Sequence, residues 1–124
     1  SFVAADILER PFGEGEFDYA LFSCTGHHLP DETLYPVMKE LSRVLKKNGS
    51  LHFFDTIKRP GIDPPFLRFL INLDQGKFMR NEEIYKKMIH GFSADLVPTV
   101  TKVLRIKGAL MPQPTYFYAE FRKK

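Results

Sequence analysis

Apolar and polar positions follow two different rhythms along the first half of the chain. Phe17-Asp18-Tyr19-Ala20-Leu21-Phe22-Ser23 is almost continuously apolar. That is the pattern of a parallel strand covered on both faces, and it predicts a strand in the middle of a sheet. Further on, Leu34, Val37, Met38, Leu41, Val44 and Leu45 recur at spacings of three and four, with Lys39, Glu40, Arg43, Lys46 and Lys47 between them. This predicts an amphipathic helix running to Lys47, one face on a sheet and one in water. Asp31 or Thr33 can cap its start; a Thr33 cap places Pro36 within the first turn, where its missing N–H breaks no bond. Gly49 can take the left-handed conformation that ends the helix. Ser50-Leu51-His52-Phe53-Phe54-Asp55 then reads as a second strand. Strand, helix and strand make one βαβ unit. Such crossovers are right-handed, so the loop Cys24–Asp31 falls at the carboxyl edge of the sheet, where open α/β sheets bind ligands.

The flanking segments extend this unit. Phe2-Val3-Ala4-Ala5-Asp6 reads as a short strand, and a strand opening at the first residue suggests a chain cut from something longer. Pro11 to Glu16 is a loop whose Gly13 and Gly15 form no phosphate cradle, because no helix start follows them. Pro64 to Phe78 predicts a helix apolar over most of its circumference, with Phe66, Leu67, Phe69, Leu70, Ile71 and Leu73. Asn81-Glu82-Glu83 opens another helix, with a cap and two acids at its positive end. Its expected buried face is Ile84, Tyr85, Met88 and Ile89, with Gly91 at its end and His90 exposed in the last turn. Val100–Lys107 and Thr115–Phe121 are β-branched and aromatic, and read as two strands joined by a loop containing Gly108, Pro112 and Pro114.

Composition narrows the class. A chain of 124 residues, 44% of them apolar, builds one domain with a real core. The formal charge of +3 is modest and the basic residues are spread out, apart from Arg122-Lys123-Lys124. Nucleic acid is therefore not an expected partner, since phosphate binders concentrate their basic residues. The single Cys24 rules out an internal disulfide and fits a cytoplasmic location. No apolar run approaches the roughly 18 residues of a membrane span.

Phe17-Asp18-Tyr19-Ala20, then His27-His28-Leu29-Pro30-Asp31, then Leu41-Ser42-Arg43-Val44-Leu45-Lys46-Lys47-Asn48-Gly49-Ser50-Leu51 carry a resemblance. In this order and spacing they resemble the post-cofactor half of a class I S-adenosylmethionine-dependent methyltransferase, the small-molecule, ubiquinone-biosynthesis-like branch fitting best. The resemblance implies an α/β fold over residues 1–124. Its sheet would be partial, Rossmann-like and mostly parallel, closed by a C-terminal antiparallel pair, with helices on its faces. Residues 57–80 would form an insertion or lid over the acceptor. The family's glycine-rich loop, and the acid that ends its second strand, have no counterpart in these residues.

The same resemblance assigns candidate roles. Asp6 would meet the adenine amine of S-adenosylmethionine, the Ile7 backbone a ring nitrogen and Leu8 the ring face; alternatively Asp6 only ends a strand and begins a turn. Ser23, Cys24 and Thr25 would run past the methionine part of the cofactor. His28 would face the acceptor and take its proton, an imidazole titrating near neutrality. His27 either lines the acceptor site or packs beneath the helix start, donating to a backbone carbonyl. Asp55 either lines the same pocket or caps the next turn, and Phe66 and Phe69 would contact the acceptor from the lid. No metal is expected: Cys24-x-x-His27-His28 lacks the further ligands of a tetrahedral site.

Two functions follow. One is methyl transfer to a small molecule, weak or absent in this chain alone because part of the cofactor's cradle has no counterpart. The other is a non-catalytic methyltransferase-like module that associates with another chain. Either way the strand Phe17–Ser23 is expected to have a bare edge, covered by Ser1–Asp6 or by a strand from a second copy in a homodimer.

Overall fold

The computed structural model describes residues 2–59, 61, 63–73, 77–105 and 114–124. Four strands form one sheet: β1 (Phe17–Ser23), β2 (Leu45–Ile57), β3 (Leu96–Arg105) and β4 (Thr115–Lys123), in the order β1-β2-β4-β3. Three α-helices accompany it among the described residues: α1 (Asp31–Val44), α2 (Pro65–Leu73) and α3 (Glu82–Met88). The βαβ unit forms as the spacing predicts, with β1 and β2 parallel. The remaining pairs, β2 with β4 and β4 with β3, are antiparallel, so the sheet is mixed and not mostly parallel.

Several boundaries differ from expectation, each for a local reason. Phe2–Asp6 is not a strand and lies outside the sheet; Asp6 begins a 3-10 turn over Ile7–Glu9. Among the described residues no strand pairs with the far side of β1, so it stands at an edge and not in the middle of the sheet, with the bare edge expected of it and no cover from Phe2–Asp6. Its apolar run hides an alternation: Phe22 is buried while Tyr19 and Leu21 are 72% and 71% exposed. Helix α1 starts after Pro30 with no side-chain cap, so Pro36 sits inside the helix, on its exposed side. It stops at Val44 because Leu45 is already extended, at φ −75° and ψ 140°. Lys46 and Lys47 therefore belong to β2, and the left-handed residue is Asn48 (φ 66°), not Gly49. There Phe17 pairs with Leu45 but Tyr19 with Ser50, so β2 bulges away from β1 between the two pairs.

In the second half, α2 ends at Leu73, and Asp74–Gly76, within the helix expected up to Phe78, lie outside the described residues. Asn81 caps α3 by accepting from the Ile84 amide at 2.9 Å, but the Ile84 side chain is 42% exposed and does not belong to the buried face. Strand β3 begins at Leu96, before the expected Val100, and Lys107, Gly108 and Pro112 lie outside the described residues.

The core sits on one face of the sheet. Leu34 and Met38 of α1 and Tyr85 of α3 are fully buried with Leu51, Phe53, Phe117 and Phe121. Phe53 lies at its centre, with the rings of Phe22, Tyr85 and Phe92 at 5.4, 5.1 and 5.5 Å. The opposite face carries His52, Phe54, Thr56, Tyr116 and Tyr118, all half-buried. No helix among the described residues is long and apolar enough to cross a membrane.

Because Phe53 joins β1, α3 and β4 in one packed cluster, Phe53→Ala should cost about 3–5 kcal/mol of unfolding free energy. Urea denaturation followed by circular dichroism measures it, and a loss below about 1 kcal/mol would show that this ring does not hold the layers together.

Candidate active site at the carboxyl edge of the parallel strands

Parallel pairing brings the ends of β1 and β2, Ser23 and Ile57, to the same edge. Beyond Ser23 the chain turns sharply. Cys24 adopts a left-handed conformation (φ 49°) while its amide still donates to the Phe54 carbonyl at 2.7 Å, and the Thr25 hydroxyl returns to the Ser23 carbonyl at 2.8 Å. A 3-10 turn over Gly26–His28 follows, closed by the amides of His28 and Leu29 on the carbonyls of Thr25 and Gly26. Only glycine fits at its first position: a Cβ there would stand 2.6 Å from Oδ2 of Asp55 and 3.0 Å from the Tyr85 hydroxyl.

Beneath this turn lies a buried polar cluster. Asp55 shares the inward row of β2 with Phe53 and Ile57, so its carboxylate enters the core with no exposure to solvent. A buried carboxylate persists only if donors surround it. His27 Nδ1 lies 2.5 Å from Oδ1, the Thr56 amide donates to the same oxygen at 3.0 Å, and the Tyr85 hydroxyl donates to Oδ2. A carboxylate only accepts, so the His27 proton is on Nδ1. Burial, with the Asp55 charge and hydrogen bond adding to it, pushes the Tyr85 hydroxyl far above its ordinary value, against the opposing pull of Arg80.

Arg80 ties this cluster to the turn. It is 6% exposed, and its guanidinium donates to the carbonyls of Gly26 and Leu29, each at 2.8 Å, to that of Phe78 at 3.1 Å, and to Asp31. The same group lies 5.7 Å from the Tyr85 ring centroid. Burial disfavours the cation, but the hydrogen bond to Asp31 and the interaction with Tyr85 outweigh it and raise the Arg80 pKa overall.

Against this geometry, the candidates fall into three groups. His27 and Asp55 are both buried and bound to each other. His28, Ser23, Cys24 and Thr25 are exposed at the edge, and the His28 ring packs on that of His27 at 4.1 Å. Asp6 is exposed and accepts from the Leu8 amide at 2.9 Å, a turn-forming bond. Leu8 lines an open cleft of about 490 Å³ with Arg10, Lys39, Arg43 and Lys123, and none of Ser23, Cys24 and Thr25 lines it. Phe66 and Phe69 are 54% and 58% exposed on α2. No group of three or more His, Cys, Asp or Glu suited to a metal occurs among the described residues.

Sequence reasoning did not single out Arg80, Thr56 or the Tyr85 hydroxyl. Tyr85 was legible as a core position, and Arg80 stands beside the cap residue Asn81. Neither has a spacing relation to Asp55 or Gly26, which only the fold brings near.

Tyr85 carries a stability signature. Its folded pKa lies above its unfolded value of 10.0, so the unfolded chain loses this proton first as pH rises. The contribution is intact below about pH 10 and declines above it. Tyr85→Phe should lose about 1–3 kcal/mol at neutral pH by leaving Asp55 short of a donor, and should show a shallower fall in stability above pH 10 than the parent. Urea melts at pH 7 and 10.5 measure both; parallel slopes for the two proteins would refute the assignment.

Comparison with known proteins bears on the fold. Residues 1–53, which end within β2, match the family model described as a methyltransferase domain. No curated protein matches the chain. Among solved structures, an S-adenosylmethionine-dependent methyltransferase from Methanosarcina mazei superposes with a TM-score of 0.71 at 14% identity, over 96% of this chain and 65% of that one. Geranyl diphosphate C-methyltransferase from Streptomyces coelicolor A3(2), in complex with Mg2+, geranyl diphosphate and S-adenosyl-L-homocysteine, gives 0.69 at 16% identity over 98% and 52%. The 1,6-didemethyltoxoflavin-N1-methyltransferase of Burkholderia thailandensis, with its namesake ligand and S-adenosylhomocysteine bound, gives 0.69 at 15% over 99% and 50%. The chain thus spans between half and two thirds of the length of these structures. Its fold is that shared by S-adenosylmethionine-dependent methyltransferases.

Proposed function

We propose that this chain contributes the acceptor side of a methyl-transfer site, with S-adenosylmethionine as donor and a small molecule as acceptor. The carrying observation is the edge itself. At the end of β1 and just beyond it, Ser23, Cys24, Thr25 and His28 are exposed around a turn anchored from below by the buried His27–Asp55 pair. When bound, the cofactor supplies an already activated methyl group, so the protein's work is alignment and exclusion of water. Ser23, Cys24 and Thr25 would border its methionine part, and Asp6, Ile7 and Leu8 its adenine. His28 would hold or take the acceptor's proton, with His27 and Asp55 forming the floor of that pocket. Residues 57–80 would act as the lid, Phe66 and Phe69 offering apolar contact to the acceptor. A cytoplasmic setting is part of this reading, the lone Cys24 being unpaired with any other cysteine.

Because the glycine-rich loop and the ribose-binding acid of the resembled family have no counterpart here, binding should be weak. Each charged hydrogen bond forgone costs roughly 1.5–3 kcal/mol. Titrating the 15N-labelled chain with S-adenosylhomocysteine should move the amide resonances of Ile7, Leu8, Cys24 and Thr25 in fast exchange and leave β3 unmoved. Shifts confined to other surfaces, or none at millimolar ligand, would refute the cofactor contacts.

One observation favours association as well. The far edge of β1 has no partner among the described residues, and Tyr19 and Leu21 beside it are exposed. Such edges recruit strands. Light scattering should give twice the 14.4 kDa of one chain, and a monomeric mass at high micromolar concentration would rule out strand addition by a second copy.

A further inference from the structure

Two segments far apart in sequence meet at Arg80. One is the turn Gly26–Leu29, which carries both histidines. The other is the neck of the 57–80 segment, where the Lys58 amide donates to the Arg80 carbonyl at 3.0 Å and Lys58 bridges to Asn81. The two are stitched directly, the Phe78 amide donating to the His27 carbonyl at 3.0 Å. The Arg80 guanidinium then grips the turn on both sides of the histidines, at the Gly26 and Leu29 carbonyls, and holds the neck at the Phe78 carbonyl. Asp31, whose side chain is 61% exposed, neutralises it at the first residue of α1.

We propose that Arg80 is a positioning residue that locks the histidine turn to the neck of the 57–80 segment, so that the placement of His28 depends on how that segment is seated. Its geometry is specific to arginine. One planar group serves three carbonyls and a carboxylate lying in different directions, which the point charge of a lysine cannot do. The Tyr85 ring beneath it and the Asp55–His27 bond beside it fix the turn from the core side, so Arg80 controls the remaining, outer connection. The functional consequence rests on the methyl-transfer reading, in which His28 faces the acceptor and residues 57–80 cover it. The lock itself does not, and it is tested without ligand.

Histidine acylation by diethyl pyrocarbonate, read residue by residue by mass spectrometry, reports on the lock. In the parent chain His28 and His90, both exposed, should react and buried His27 should be protected. In Arg80→Lys, His27 should react roughly ten- to a hundredfold faster, the equivalent of one charged hydrogen bond lost, while His52 and His90 keep their parental rates. Unchanged His27 reactivity would overturn the proposal. So would acceleration of His52 together with His27, which signals general loosening. Native-state hydrogen exchange of the parent chain supplies a second measure should Arg80→Lys fail to fold. The Leu29, Phe78 and Lys58 amides should open with one shared free energy below that of β2 and β4, and independent opening of the turn and the neck would overturn the proposal. Neither outcome depends on cofactor binding, so failure of the lock and failure of the methyl-transfer reading are distinguishable.

Discussion

The structure depends on one carboxylate placed where a sheet would ordinarily bury a hydrocarbon. Asp55 occupies the inward row of β2 between Phe53 and Ile57 and has no exposure. A charge there is tolerable only when donors replace its water, and those donors come from three separate parts of the chain. His27 arrives from the turn after β1, Tyr85 from α3, and the Thr56 amide from the next residue of β2. The requirement to satisfy Asp55 therefore dictates where the turn and α3 sit, with a strictness that apolar packing alone does not impose, since hydrophobic contact is not directional.

Arg80 extends the same logic outward. The positive group is buried against Tyr85 and repays its own desolvation at carbonyls of the turn and at Asp31. Asp55, Tyr85 and Arg80 thus form a column from the sheet to the loop edge, negative at the bottom and positive at the top. Gly26 lies where this column passes closest to the backbone, which is why a side chain has no room there. Ser23, Cys24, Thr25 and His28, proposed to border cofactor and acceptor, stand at the edge above this hydrogen-bonded base, and a site whose task is to hold two molecules in line needs such support.

What was legible in the sequence was local. The three-and-four spacing from Leu34 to Val44 predicts α1 because a helix buries one stripe, and the period-two pattern of Thr115 to Phe121 predicts β4 because strands turn alternate residues inward. Asn81 signals the start of α3 because its side chain can reach an amide three residues on, as it does. The structure departs from the local pattern where the signals in the sequence are ambiguous. The apolar run Phe17–Ser23 fits a strand buried on either one face or two, and only the fold shows that Tyr19 and Leu21 are exposed while Phe22 is buried. Lys46 and Lys47 continue a helical charge pattern, yet Leu45 is drawn into the ladder opposite Phe17, and the helix ends there.

The sequence by itself determined the βαβ unit, the capped helix after Asn81, the placement of a histidine-bearing turn at a carboxyl edge and the resemblance to a methyltransferase. Each rests on spacings within a few turns of helix or one strand length. Tertiary structure alone decided that the sheet is mixed, that Asp55 pairs with His27 and Tyr85, and that Arg80 joins the turn to the neck of the 57–80 segment. Those partners are separated by 28, 30 and 54 positions, and no periodicity carries information across such distances; only the folded chain's need to neutralise buried charge selects them.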